Sequence, residues 1–493
     1  MRMKLIRWTL ATVSSLTFLF LLWKGPWWLD GAHLSPQLTP GTGAVVTGFR
    51  TTVVAIGAGA VAAVGLYYTD RNFRHTQQLF DHTREKDREQ VELTREGQMT
   101  DRYATAVGLL ASDSEVKRLG GIYALERIMR DSPKDSATVL EVLTAFVRKN
   151  AKITTPPGNQ DDGDHEVSDE VMAILTVISR RQTHTAGFPL DLSNCDLRNA
   201  ELAGFNLREI SFKGSLLQKT DLRGADLQGA NLSGANLHQA RLNEANLNDC
   251  VLRGARIGLA HFELAQMERA DLTKVTARHV YMNGANLNGA TLENGLFSSC
   301  SLSGASLLGV QAREVDFRRA YISHADLTGS NLKKALLEGA HLEKSNFTKA
   351  ILANAQLVDS ELREADLSGA DLKAANLARS DMRNCMLDGV TAMYAQMNGT
   401  NLTGAKIRDA FLTQVNLTGA DIRDANLSDS TLNSAHMKEV TADGADFRGA
   451  SMFSITGATV EILMAAKLDK RTSLDAEFAN VAQIKNLLQG QDD

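Results

Sequence analysis

From Leu192 to Met452 every fifth residue is apolar without a break in phase, and these 53 positions hold 33 Leu, six Phe, six Met, four Ile and four Ala. Two residues earlier in each unit, positions 190 through 450 hold 30 Ala, with Ser, Cys, Thr or Val in most of the rest. Asp or Asn often stands between the two, as in Ala225-Asp226-Leu227 and Ala230-Asn231-Leu232, and Gly often follows two residues after the Leu, as at Gly224, Gly229 and Gly234. Neither regular element accommodates this period. Five residues advance about 500° on an α-helix, so the leucines would wrap every face. On a continuous strand an odd period sends them alternately to opposite faces. Each unit therefore needs a corner: a short extended piece with the small residue and the Leu inward, then a turn that tolerates Gly and resets the direction.

The motif A-[DN]-L-x-x resembles that of the pentapeptide-repeat family over about 265 of the 493 residues. The resemblance implies a mainly β solenoid, a right-handed quadrilateral β-helix with four repeats per coil. The 53 repeats would then make about 13 coils and, at about 4.8 Å per coil, a rod roughly 60 Å long. The exceptions to the motif support two inward positions per unit. Ala takes the Leu position at Ala277, Ala312, Ala392 and Ala442, and each time the small position enlarges to Val275, Val310, Val390 or Val440. Such a swap conserves volume inside a shared core. Cys195, Cys250, Cys300 and Cys385 all take the small position, which reads them as buried hydrophobes. With 20 residues per coil they would lie on four different faces, too far apart for a disulfide. His238, His261, His279, His324, His341 and His436 all fall at outward positions. His261 and His341 would share a face four coils apart, so they do not make a zinc pair.

Two uncharged runs precede the repeats, Trp8 to Trp23 and Thr51 to Tyr68, each near the length that spans a bilayer. Trp23, Trp27, Trp28, Tyr67 and Tyr68 sit at the ends of the runs, where amphipathic rings favour the interface. Arg2, Lys4 and Arg7 before the first run and Arg71 and Arg74 after the second favour a cytoplasmic position for both flanks. Arg50 stands at the entrance of the second run, and Gly57, Gly59, Ala63 and Gly65 would permit close helix approach. A cleaved secretory signal competes for the first run, but no small-x-small site follows Trp23.

Residues 1–69 thus read as a two-helix transmembrane hairpin and 70–102 as a charged juxtamembrane helix. Residues 103–152 read as a small helical module, either HEAT-like or a bundle. Gly120 and Gly121 lie inside its second helix, where close packing of a neighbour would require them. Residues 153–189 form an acidic linker, with Pro156, Pro157, Gly158 and Asp161 to Glu166, followed by a capping helix over Val171 to Ser179. Counting back from Gly163 puts Asp162, Gln160 and Gly158 at the ligand positions of a calcium loop, and the match fails. The β-helix spans 190–456. Residues 457–493 form a C-terminal helical cap, with helices over Val460 to Leu468 and Val481 to Leu488.

Four functional classes follow. The leading reading is a non-enzymatic membrane scaffold, held in the bilayer by residues 1–69, with both termini cytoplasmic and an unidentified cytoplasmic or membrane protein as partner. An oligomeric signalling or permeabilising membrane protein is the second, with self-association through the glycine-bearing span. The third, a topoisomerase-binding DNA mimic, would need a strongly acidic rod. Residues 191–455 instead carry 31 Asp plus Glu against 27 Lys plus Arg, with Arg318, Arg319, Lys333 and Lys334 clustered, so nucleic-acid chemistry is disfavoured. An enzyme comes last, because no HExxH, GxSxG, GxxxxGK or CxxC occurs. No residue is singled out as catalytic, cofactor-binding or metal-ligating, and no cofactor is implied.

Overall fold

The computed structural model describes residues 2–29, 31, 39–153, 166–181 and 190–489. Most of the acidic linker, including the failed calcium-loop match, lies outside these residues. The chain divides into two compact units, Met1–Asp101 and Arg102–Asp493.

The first unit holds α1 (Arg2–Leu29) and most of α2 (Pro40–Leu110). Both helices are long and apolar enough to cross a membrane. They pack through small residues: a Cβ on Gly57 would stand 2.5 Å from the Phe18 ring, and one on Gly25 would stand 2.7 Å from Phe49. Gly59 and Gly65 meet nothing within 4 Å, so close approach rests on Gly57 alone among the glycines of the second run. Pro26 lies inside α1 and has no N–H to offer the Leu22 carbonyl one turn back. Arg50 Nε of α2 donates to that carbonyl at 3.1 Å. A cation among apolar residues and a helical carbonyl without its usual donor thus satisfy each other.

The boundaries read at 69/70 and 102/103 fall inside one helix, because α2 runs unbroken for 71 residues. No proline or cap interrupts it, and its isolated glycines are tolerated.

In the second unit, α3 (Glu115–Asp131), α4 (Ser136–Asn150) and α5 (Asp169–Ser179) pack as a bundle on the end of α2. Ile122, Leu125, Leu140, Leu143, Ile174 and Ile178 are buried at its centre. A Cβ on Gly121 would stand 2.8 Å from Ala106 O and Leu110 N, whereas Gly120 meets nothing within 4 Å. The close approach therefore requires one glycine of the pair. Arg118 Nε donates to the buried Glu170 at 2.9 Å and ties α3 to α5, making the expected capping helix a full member of the bundle.

Beyond Leu190 the chain is a parallel β-helix in which residue i bridges to residue i+20 from Asp191 to Thr456. The unit Ala230-Asn231-Leu232-Ser233-Gly234 shows how the backbone donors are satisfied. Ala230 N–H closes the corner on Leu227 O at 2.9 Å, Asn231 donates back to Ile210 O at 2.9 Å, and Leu232 donates forward to Val251 O at 2.7 Å. Gly234 donates forward to Arg253 O at 2.8 Å. Ser233 N–H, which has no ladder partner, donates to the Asn231 side chain at 3.0 Å, the reason for Asp or Asn at that position. Gly234 has φ +66°, and residues two after the Leu take this left-handed conformation through the whole β-helix. Leu232, Ala235 and Leu237 are fully buried, and the four Val/Ala swaps point inward as well.

Both ends extend the ladder as well as covering it. At the front, Asp196 N–H donates to Ala151 O at 2.6 Å, and Arg181 of the α5 C-terminus donates to Asn206 O at 2.8 Å and Arg208 O at 2.7 Å. At the back, α6 (Val460–Met464) is shorter than read. The following chain pairs Lys467 with Asp446, then sets β2 (Ser473–Leu474) parallel to β1 (Ser451–Met452), before α7 (Ala476–Ala479) and α8 (Ala482–Gln489). The last coil exposes donors and acceptors that only another extended segment can meet, so the cap continues past residue 456 as ladder.

The shared core makes Val275 and Ala277 one packing unit. Ala277→Leu alone should cost about 1–3 kcal/mol by overpacking, and Val275→Ala alone about 2 kcal/mol by leaving a void. Combined, they should return to within about 1.5 kcal/mol of the parent in denaturant melts. Additive losses would show that the two side chains do not share volume.

Candidate functional site

Three of every five residues face outward on the β-helix, and the 20-residue coil stacks each above its equivalent one coil on. Chemistry on this surface is therefore organised in columns and in short i, i+2 pairs. The commonest pair is an Asp before the Leu with an Arg after it. Arg198–Asp196 is matched by Arg223–Asp221, Arg318–Asp316, Arg383–Asp381, Arg423–Asp421 and Arg448–Asp446, all at 2.5–2.7 Å. Hydrogen bonds from Arg223 hold the Asp221 carboxyl below its ordinary range. The basic cluster seen in sequence is partly neutralised by the same means: Arg318 binds Asp316, and Lys334 reaches Glu314 at 3.0 Å.

The four cysteines are buried and free. Cys250 Sγ donates to Leu227 O at 2.8 Å and Cys385 Sγ to Leu362 O at 2.9 Å. Burial pushes the Cys195, Cys250 and Cys385 thiols up to about 12 and raises Cys300 as well.

All six histidines of the β-helix are at least partly exposed, and two of them build a larger arrangement. His261 stacks on Tyr281 with ring centroids 4.7 Å apart and planes within 11°. His341 stacks on Tyr321 at 4.6 Å and 6°. These four residues share one column, with Ser301 between the tyrosines, because Tyr281 bridges to Ser301 and Ser301 to Tyr321. Each histidine is held by a carboxylate: His261 Nδ1 lies 3.1 Å from Glu263, and His341 Nδ1 lies 3.0 Å from Glu361. The sequence reading tested this column only for a pair of histidines and missed the tyrosines between them. A count modulo 20 would have found them.

His341, Glu343 and Glu361 bring ligand atoms within 4.8 Å of one another, a grouping the sequence reading also missed. Their charge is already met locally, since Arg363 lies 3.3 Å from Glu343 and 3.5 Å from Glu361. Burial raises the Glu343 carboxyl, but its own backbone N–H, Ser323 and Arg363 outweigh that and hold it below the ordinary carboxylate range. This surface can bind and orient a partner through ring faces, carboxylates and hydroxyls.

A filled parallel β-helix with ordered outward columns defines a solenoid repeat protein that presents surface. The chain belongs to the pentapeptide-repeat family, matching the description "Pentapeptide repeats" in eight copies over residues 191–229, 230–265, 265–304, 296–333, 325–363, 365–404, 395–433 and 420–453. The β-helix of this family is right-handed. Among solved structures, HetL of the cyanobacterium Nostoc sp. strain PCC 7120 is 26% identical over 49% of this chain and 92% of its own, with a TM-score of 0.17. Full-length QnrB1, a plasmid-mediated fluoroquinolone resistance protein, is 15% identical over 59% and 96%, with a TM-score of 0.18. A pentapeptide-repeat protein of the Arabidopsis thaliana thylakoid lumen is 34% identical over 19% and 63%, with a TM-score of 0.13. No curated protein matches the chain.

The thiols give a direct check on the core. An aromatic disulfide reagent should label none of the four cysteines in the native protein and all four in denaturant. Fast labelling of any one in the native state would mean that its coil is open.

Proposed function

We propose that the protein is a non-enzymatic scaffold, anchored in a membrane by residues 1–69, that presents its pentapeptide-repeat β-helix to a protein partner. One observation carries this reading: the inside of the β-helix is filled with Leu, Phe and Ala, so its polar chemistry lies on an outer surface with extended columns. Family membership agrees, since pentapeptide-repeat proteins are generally structural or interaction proteins. The anchor rests on the two long apolar helices, whose Leu16, Leu19, Phe20, Ile56, Val61 and Leu66 side chains are exposed, a surface suited to lipid. The basic flanks favour both termini on the cytoplasmic side of the inner or plasma membrane. For the β-helix itself we infer a quadrilateral section, four five-residue units to each 20-residue coil, and about 13 coils from Leu192 to Met452. Pairing of Asp with Arg along the surface weighs against imitation of DNA, which needs unpaired negative charge.

Membrane fractionation tests the anchor. Full-length protein should sediment with membranes and resist carbonate extraction, and deletion of residues 1–69 should move it to the soluble fraction. Soluble full-length protein would contradict the proposal.

A further inference from the structure

The column through His261, Tyr281, Ser301, Tyr321 and His341 carries a ring on four of its five rungs. His261 covers one face of Tyr281, and His341 covers one face of Tyr321. Their other faces are turned toward the rung of Ser301, whose side chain is too small to reach between them. Two coil rises separate the tyrosines, about 9.6 Å. The stacked pairs on either side are spaced 4.7 and 4.6 Å apart, so one planar group at the same spacing would complete a five-membered stack. Both tyrosines are open to solvent, Tyr281 at 38% and Tyr321 at 50% exposure.

We propose that this gap is a binding slot for the guanidinium of an arginine side chain on a protein partner. The inference rests on reading the β-helix as an interaction surface and names the chemistry of what one part of it takes. Three observations select a planar cation. First, the outward residues of the five stacked units include the carboxylates Glu263 and Glu343 and a single cation, Lys344, at the far end of the stack. Glu343 is already paired with Arg363 of the next coil, at 3.3 Å, whereas Glu263 has only His261 and the Asn243 amide as partners among the described contacts. Lys344 lies 3.7 Å from Glu364, one coil further on. Arg278, in a preceding unit, lies in the field of Asp316. Second, Tyr faces attract cations, and a guanidinium is flat enough to stack on two of them at once, whereas an ammonium is not. Third, Ser301 Oγ donates its proton to Asn283 Oδ1 at 2.6 Å, and that same oxygen accepts from Ser303 N at 3.0 Å. The Ser301 hydroxyl is left with accepting capacity at the floor of the slot, which suits the in-plane N–H groups of a guanidinium.

Titration calorimetry on the full-length protein in detergent tests the slot. The probes are end-blocked Gly-Gly-Arg-Gly-Gly and its Lys and Trp counterparts at millimolar concentration. The Arg peptide should bind at least about tenfold more tightly than the Lys peptide. Ser301→Tyr should complete the ring ladder, keep the parental melting temperature and abolish binding. Tyr321→Ser, which removes one wall, should also abolish binding and serves if Ser301→Tyr does not fold. Equal binding of Arg and Lys peptides, preference for Trp, binding retained in either folded variant, or no binding of the Arg peptide would each overturn the proposal. None of these outcomes bears on fractionation of the anchor, so the two readings fail separately.

Discussion

Every backbone donor of the unit Ala230–Gly234 has an assigned acceptor, and the β-helix depends on repeating that pattern. One N–H closes the corner, three reach the coils before and after, and the last is taken by the Asp or Asn two residues earlier. In the units of Ser301 and Ser306, the preceding coil supplies a side chain instead: Asn283 Oδ1 accepts from Ser303 N, and Asn288 Oδ1 accepts from Leu308 N at 3.0 Å. Proline is absent after Pro189 because it would remove one of these donors in a stacked coil. The same bonds fix the coil at 20 residues, and the coil length decides which surface residues meet. The ring ladder and the Glu343 cluster are both consequences of one repeat length.

A ladder of this kind has two open ends, and the structure closes each with extended chain plus helix. The front joins Ala151 and Arg181 of the bundle to the first coils, and the back adds Lys467 and Ser473 before its last helices. The N-terminal hairpin obeys the same rule in its apolar helices. Pro26 frees a carbonyl in the first helix, and Arg50 of the next supplies the donor. At the ladder ends a buried backbone group without a partner would cost several kcal/mol, and in each case a side chain or short segment has been placed to meet the free group.

The repeat was legible because each unit fixes its own phase: Leu at one position and Ala two before it can face inward together in only one local geometry. The Val/Ala exchanges carried the same information, and all eight residues proved to be buried. Legibility failed where contacts join residues far apart or depend on an absence. Nothing local marks the continuity of α2 through Thr69-Asp70 and Arg102-Tyr103, since a helix continues wherever no breaker stops it. Lys467 and Ser473 extend the ladder without the five-residue motif, because a terminal segment needs only backbone pairing there. Tyr281 and Tyr321 look unremarkable in their own units, and their relation appears only when positions are counted by coil. Arg50 read as a charge at the mouth of a span until Pro26 gave its partner a physical reason.

The central claim is that the five-residue phase and the 20-residue coil together hold the β-helix in register. Thermal melting of two internal deletions, followed by circular dichroism, tests it most directly. Removing Asp381–Thr400 takes out one coil and lets Glu361 stack on Asn401 in place of Asp381. That variant should melt in a single cooperative transition within a few degrees of the parent. Removing Asp381–Leu402 takes two residues more and throws the following units out of phase, so it should melt about 10 °C lower or lose its cooperative transition. Equal melting of the two variants, or failure of the one-coil deletion to fold, would contradict the account.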